Sequence, residues 1–231
     1  MFKVLKLKPL LITITLIIIS ITLSIGIVST SSTNVPKNIY TIVIDAGHGG
    51  RDDGCTGTNG TKESFINLSI ARRLKEYLET LGINVVMTRH DSNGLYDATA
   101  TNFKLSDMEN RIKIIDQNNP NMVISIHQNS YADKTQKGAQ VFYQENDDKS
   151  KEFAEAIQSQ LINQLEYARN QANFGDYYLL KESKTSAVII ECGYLSNADE
   201  ETKLNEAEYQ NKIAYSIMCG VVKYLGMCGN D

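Results

Sequence analysis

The sequence predicts an α/β fold: one domain with a mostly parallel, twisted sheet flanked by helices. Three observations carry that expectation. Strand-like and helix-like runs alternate along most of the chain, and such alternation builds parallel sheets covered by helices on both faces. Two apolar β-type runs lead into histidines, His48 and His127, and a third leads into Glu191. Strand ends of an open α/β sheet converge on one edge, so polar residues placed there share a site although they lie far apart in sequence. Finally, removing the N-terminal segment leaves a body of about 190 residues, the size of one domain.

The first element is an uncharged run from Leu10 to Val28, LLITITLIIISITLSIGIV, preceded by Lys3, Lys6 and Lys8. At about 1.5 Å per residue it just spans a bilayer core of about 30 Å, with the lysines on the cytoplasmic side. The competing readings are a signal peptide cut within the Ser29 to Ser32 cluster, and a buried core helix. Residues 1–28 are therefore expected to form a signal anchor or signal peptide, 29–37 a polar linker, and 38–229 the folded domain. The body is expected outside the cytoplasm, either anchored or secreted.

Within the body, Tyr40 to Ile44 reads as a strand and Ser64 to Thr80 as a helix. Ile70, Leu74, Tyr77, Leu78 and Leu81 make the apolar stripe of that helix, and Gly82 supplies its stop. Asn84 to Thr88 is a strand, Asp107 to Asn118 a helix, and Met122 to Ile126 a strand separated from that helix by Pro120 and Asn121. Gly138 to Tyr143 is a strand, Asp148 to Leu165 a helix, and both Tyr177 to Leu180 and Ala187 to Ile190 are strands. Glu206 to Leu225 closes the body as a helix.

Charge and cysteine content narrow the possibilities. Setting aside the three N-terminal lysines, 20 of the 23 basic residues face 27 acidic ones, a net charge of −7. Nucleic-acid binding is excluded as an expectation, since it needs a basic surface to displace phosphate counterions. An acidic body also offers no general grip on anionic polymers, so recognition must be local. Cys55, Cys192, Cys219 and Cys228 lack C-x-x-C spacing, which argues against structural zinc. Only Cys219 and Cys228 are close enough in sequence to suggest a local bridge, and Cys192 reads as a small apolar packing residue.

The chemistry gathers at the strand ends. Gly47, Gly49 and Gly50 surround His48, and the loop RDDGCTGTNGTKE ends on Glu63 at a predicted helix start. A carboxylate there faces the positive end of the helix dipole, which favours its ionised form. Two neutral imidazoles and one carboxylate form the ligand set of many catalytic zinc sites, the fourth position being left for water. His48, Glu63 and His127 supply that set for one Zn2+ per domain, and Glu191 is placed to carry the proton that hydrolysis requires.

Several segments then carry a resemblance. Ile42 to Gly50, Glu63 with Asn67 and Leu68, Val85 to Arg89, Ser125 to Asn129, and Glu191 to Asn197 resemble, in order, the motifs of the zinc-dependent N-acetylmuramoyl-L-alanine amidases of the amidase 3 family. The resemblance implies zinc on His48, Glu63 and His127, and Glu191 as catalytic acid/base. It also implies hydrolysis of the amide joining N-acetylmuramic acid to the L-alanine of the peptidoglycan stem peptide. Ala46 stands where the family commonly has proline, and Gln128 and Ser130 replace alanines, but no ligand is lost. The chain lacks a wall-binding repeat and is most similar to the sporulation and germination-specific branch. That likeness implies stem-peptide removal in the cortex as muramic-δ-lactam is made, a role in germination, and location in the wall or cortex space. An accessory protein that positions the enzyme or completes its zinc site is a further expectation.

Other residues keep two readings. Asp45 either orients a ligand histidine or stabilises the turn after its strand. Arg89 pairs either with a substrate carboxylate or with an internal one, Arg111 reads as an internal salt bridge, and His90 as a loop residue. Cys192 lacks a free histidine to activate it as a nucleophile. Two alternative functions share the fold: a catalytically idle wall-binding or assembly protein, and a zinc endopeptidase cutting within the stem peptide.

Overall fold

The structure is a computed structural model, and it describes residues 40–227. The expected anchor or signal segment (1–28) and linker (29–37) lie outside the described residues, as does Cys228 of the suggested Cys219 bridge. Among the described residues, no helix is long and apolar enough to cross a membrane.

Six strands form one sheet: β1 (Thr41–Ala46), β2 (Asn84–Met87), β3 (Met122–Asn129), β4 (Gln140–Tyr143), β5 (Asn173–Phe174) and β6 (Ala187–Tyr194). Their order is β2-β1-β3-β6-β4-β5. The pairs β1 with β2, β1 with β3, β3 with β6 and β4 with β5 are parallel, and only β4 with β6 is antiparallel. Among the described residues six helices accompany the sheet: α1 (Glu63–Thr80), α2 (Phe103–Asn118), α3 (Asp148–Gln164), α4 (Tyr178–Glu182), α5 (Ala198–Leu204) and α6 (Ala207–Tyr224). The expected fold class therefore holds for the body.

Strand periodicity of two assigns side chains to the two faces. Ile42, Ile44, Ile124, Ile126, Val188 and Ile190 enter one core with α1, α3 and α6. Val43, Val123, Ala187 and Ile189 enter the other, beneath Ile115 of α2 and Leu179 and Leu180 of α4. The predicted stripe of α1 does face its core, with Ile70, Leu74 and Leu78 fully buried. Gly82 follows with φ of +75°, as a helix stop requires.

Four expectations are corrected. Tyr177 to Leu180 is not a strand: Tyr177 is extended, and Tyr178 to Glu182 turns into a short helix that buries Leu179 and Leu180 together. The place beside β6 belongs to β4 instead. Helix α2 begins at Phe103 rather than Asp107, because the Asn102 side chain accepts from the Leu105 amide and caps the earlier turn. Strands β3 and β6 run past their apolar cores to Asn129 and Tyr194, carrying His127 and Glu191 inside the ladder. Finally, α5 and the two-residue β5 were not anticipated; Asn197 starts α5 by accepting from the Asp199 and Glu200 amides.

Chain order reverses around β1, which has β2 on one side and β3 on the other. The crevice at the carboxyl ends of β1 and β3 is where doubly wound sheets bind ligands. Its floor is held by Arg111, only 1% exposed. This guanidinium donates to Asp45 (2.6 Å), to Asp107 (2.6 Å), and to the carbonyls of Ala46 (2.8 Å) and His48 (2.7 Å). Asp45 also accepts from Thr88 (2.7 Å) and Ser125 (2.6 Å). Burial works to raise its pKa, but the Arg111 charge and these hydrogen bonds outweigh it and hold the carboxyl at about 2.

Removing one partner from such a buried network strands the other charges, so Arg111→Met is expected to cost about 3–5 kcal/mol, read from the midpoint of urea unfolding. A carboxyl held below its unfolded value stabilises the fold above about pH 4 and loses that contribution as pH falls toward 2. Acid titration followed by circular dichroism should show wild-type stability declining through that window, with a shallower decline in Asp45→Asn.

Candidate metal centre and active site

His48 follows the end of β1 in the left-handed region, with φ of +62°, a conformation disfavoured for residues other than glycine. Its carbonyl is fixed by Arg111, and its Nδ1 lies 2.8 Å from Asp52 Oδ2. Since a carboxylate only accepts, Nδ1 carries the proton and Nε2 is presented as a ligand. Asp52 thus orients His48, while Asp45, for which that role was one of two readings, is committed to Arg111, Thr88 and Ser125.

Glu63 stands at the first position of α1 and is buried. The Cys55 amide donates to its Oε2 (2.8 Å), while the Gln128 amide (3.1 Å) and Asn67 Nδ2 (3.2 Å) donate to Oε1. Asn67 also donates to the Gly47 carbonyl at 3.1 Å and accepts from the Gln128 side chain at 3.1 Å. The carboxylate is therefore pinned to β3 and to the glycine loop and, through Asn67, tied to the turn after β1.

Two glycines clear the space. A Cβ at Gly47 would fall 2.2 Å from the His127 ring, and one at Gly54 would fall 2.4 Å from Glu63 Oε2. Arg89, buried under the same turn, donates to the carbonyls of Ala46 (2.8 Å), Gly47 (3.0 Å) and Ser64 (2.7 Å). Among the described residues no carboxylate forms an ion pair with it; its guanidinium clamps backbone instead. His90 is exposed, in keeping with a loop residue.

The expected ligand set converges. Ligand atoms of His48, Glu63 and His127 all lie within 4.8 Å of one another, and they are the group of this kind found among the described residues. Glu63 Oε1 is 3.3 Å from His48 Nε2 and 3.0 Å from His127 Nδ1. Bonds of about 2.0–2.1 Å to a tetrahedral ion imply ligand separations of ~3.3 Å, so this spacing fits zinc. Charge fits as well. Burial works to raise the Glu63 carboxyl, yet hydrogen bonds and charge from the two histidines hold it well below the usual range. Burial likewise works to lower His48, but Glu63 and Asp52 push it up to about 9, the sign of a site that seeks positive charge.

Glu191 is paired in register with His127 on β6. It is buried, and its Oε2 has no hydrogen-bond partner. Burial pushes its carboxyl up to about 7, with Glu63 adding to the shift and the histidines and the Tyr177 hydroxyl opposing it. A buried carboxyl with one oxygen left without a partner and a pKa raised to about 7 suits acid/base work. Cys192 is fully buried, and burial pushes its thiol up, consistent with packing and not with nucleophilic chemistry.

Asp52 and Tyr177 escaped the sequence reading. Asp52 lies four residues after His48 inside a polar loop, and that spacing was the available signal. Tyr177 had none, since its place beside Glu191 depends on the short helix α4 that follows it.

A doubly wound sheet with two histidines and a carboxylate at its switch point, and a free buried carboxyl alongside, defines a candidate metal-dependent hydrolase. The chain belongs to the Amidase_3 family of N-acetylmuramoyl-L-alanine amidases, whose sequence profile matches residues 42–223. It is accordingly an amidase that acts on peptidoglycan. It is 32% identical over 195 residues to the germination-specific N-acetylmuramoyl-L-alanine amidase of Bacillus subtilis, covering 83% of this chain and 82% of that protein. Among solved structures it is similar to the CwlD amidase of Clostridioides difficile, determined in complex with the GerS lipoprotein: 38% identity, TM-score 0.78, 81% of this chain and 99% of the other. The catalytic domain of CwlV from Bacillus (Paenibacillus) polymyxa gives 30% identity and a TM-score of 0.73, over 81% and 99% of the two chains.

Because a carboxylate behind a ligand histidine sets its tautomer, Asp52→Asn is expected to weaken metal binding about 10- to 100-fold. Competition with a chromogenic chelator measures this, and an unchanged circular dichroism spectrum would show that the fold is retained.

Proposed function

We propose that the bound metal is zinc, held by His48, Glu63 and His127, and that Glu191 is the catalytic acid/base. The observation that carries this reading is the partnerless buried Oε2 of Glu191 beside three donor atoms spaced as the edge of a tetrahedral zinc site. When bound there, zinc supplies polarisation of the scissile carbonyl and an acidified water. Glu63 stays ionised under its three hydrogen bonds, and His48 is kept in one tautomer by Asp52. Glu191 takes the proton released as water attacks the amide carbon, then delivers it to the departing nitrogen of L-alanine. Bond formation at carbon and C–N cleavage thus leave the lactyl carboxylate of N-acetylmuramic acid and a free stem-peptide amine.

We assign this reaction to spore cortex maturation, where stem-peptide removal prepares the muramic acid that becomes muramic-δ-lactam, and hence to germination. Similarity along most of its length to a germination-specific amidase and to CwlD supports this role. In this reading residues 38–229 are the catalytic domain, and residues 1–28 place it outside the cytoplasm as an anchor or signal peptide. An exported accessory protein activates it or stabilises its zinc site, as suggested by the solved complex of CwlD with a lipoprotein.

Glu191→Gln should abolish release of free stem peptide from purified peptidoglycan, assayed by mass spectrometry, while zinc content and the thermal unfolding midpoint stay near wild type. Hydrolysis at near wild-type rate in this variant would refute the assignment. Full activity of the purified domain with no added protein would remove the accessory partner from the scheme.

A further inference from the structure

Beside the candidate metal centre a cleft of about 280 Å³ opens between α2, α4, the end of β1 and Ile189 of β6, with His48 and His127 also lining it. Lys104, Asp107, Met108 and Arg111 follow the i, i+3, i+4, i+7 spacing of one helical face, and all four line it. Met108, Leu179 and Ile189 make an apolar floor. Most of the cleft's buried polar groups are already committed: Asp45 and Asp107 to Arg111, and Arg111 to both of them and two carbonyls. Sugar hydroxyls would find few partners there, whereas a small apolar side chain would fit.

Lys104 differs from the other groups. Its side chain is 64% exposed at the first turn of α2, and its Nζ lies 3.3 Å from Asp52 Oδ1. Asp52 spends its other oxygen on His48 Nδ1. The ammonium is thus one carboxylate and one imidazole away from the metal-facing nitrogen of His48. Arg111 is enclosed, so Lys104 is the exposed cation among the residues lining this cleft. On a body of net negative charge, it is the local attraction available to an anionic substrate group near the reacting amide.

We propose that Lys104 is a specificity-determining residue that pairs with the free carboxylate of the second stem-peptide residue, while the methyl group of L-alanine rests on Met108, Leu179 and Ile189. The assignment rests on the amidase reading of the neighbouring site and goes beyond it, by placing the departing peptide in this cleft and leaving the glycan outside. One extended residue advances about 3.3–3.6 Å, so the second residue's carboxylate lies within two residues of the scissile nitrogen. An amide in place of that carboxylate would lose the pairing. The enzyme should distinguish the two.

The test uses the full chain with zinc added and two N-acetylmuramoyl peptides that differ only in that carboxyl, free or amidated. Calorimetry on each gives a ratio of dissociation constants, and product release gives a ratio of kcat/KM. Wild type is expected to favour the free acid by about fivefold, the scale of one exposed ion pair. Lys104→Gln should bring both ratios close to one, and Lys104→Arg should keep the preference. Equal treatment of the two ligands by wild type, or a preference that survives Lys104→Gln, would overturn the proposal while leaving the amidase reading intact. Binding of neither ligand by the zinc-loaded chain would overturn this proposal, whereas binding with the expected preference but without stem-peptide release would support it and assign release to the accessory protein.

Discussion

The Arg111 guanidinium, buried between α2 and the end of β1, joins two carboxylates to the carbonyls on either side of Gly47. A buried charge is tolerable only when its donors are spent on good acceptors, and this one spends them on the turn that delivers His48. The left-handed backbone of His48 is therefore held from beneath by Arg111, while Arg89 holds the neighbouring carbonyls of Ala46 and Gly47. Strand β1 and helix α2 cannot separate without exposing this network. His48, one of the three residues that converge on the candidate metal centre, takes its position from it.

Above that floor, electrostatics divide labour between two glutamates on neighbouring strand and helix ends. Glu63 accepts from two backbone amides and one side chain and faces both histidines, so it remains a carboxylate. Glu191, four ladder positions beyond the start of β6, has a partnerless oxygen and a carboxyl raised toward neutrality. One is held ionised beside the two histidines, and the other is held close to its neutral form. The difference lies in hydrogen-bond supply, because both are buried.

Most of this was legible in the sequence wherever a feature depends on strand ends. His48, His127 and Glu191 each follow an apolar run, and a parallel sheet brings such ends to one edge. Helix α1 was legible from its stripe and from Gly82. What could not be read depends on tertiary competition. Tyr178 to Glu182 has the apolar content of a strand, but β4 already occupies the edge of β6, so the segment coils and packs across the second core. The partner of His48 was equally hidden, since Asp45 and Asp52 are both near it in sequence and only the position of Arg111 decides between them. The four-residue advance of α2 depended on Asn102 acting as a cap, one of several polar residues in that loop able to do so.

The sheet also separates two kinds of residue. Glu63 comes from α1 on one face, and the histidines come from the strand ends, whereas Lys104, Met108 and Leu179 come from α2 and α4 on the other face. Substitutions along the exposed turns of α2 can therefore accumulate without disturbing the packing around Glu63. A lineage built on this scaffold has room to vary the exposed positions of α2 while Arg111, a buried residue of the same helix, stays fixed to hold the turn that carries His48.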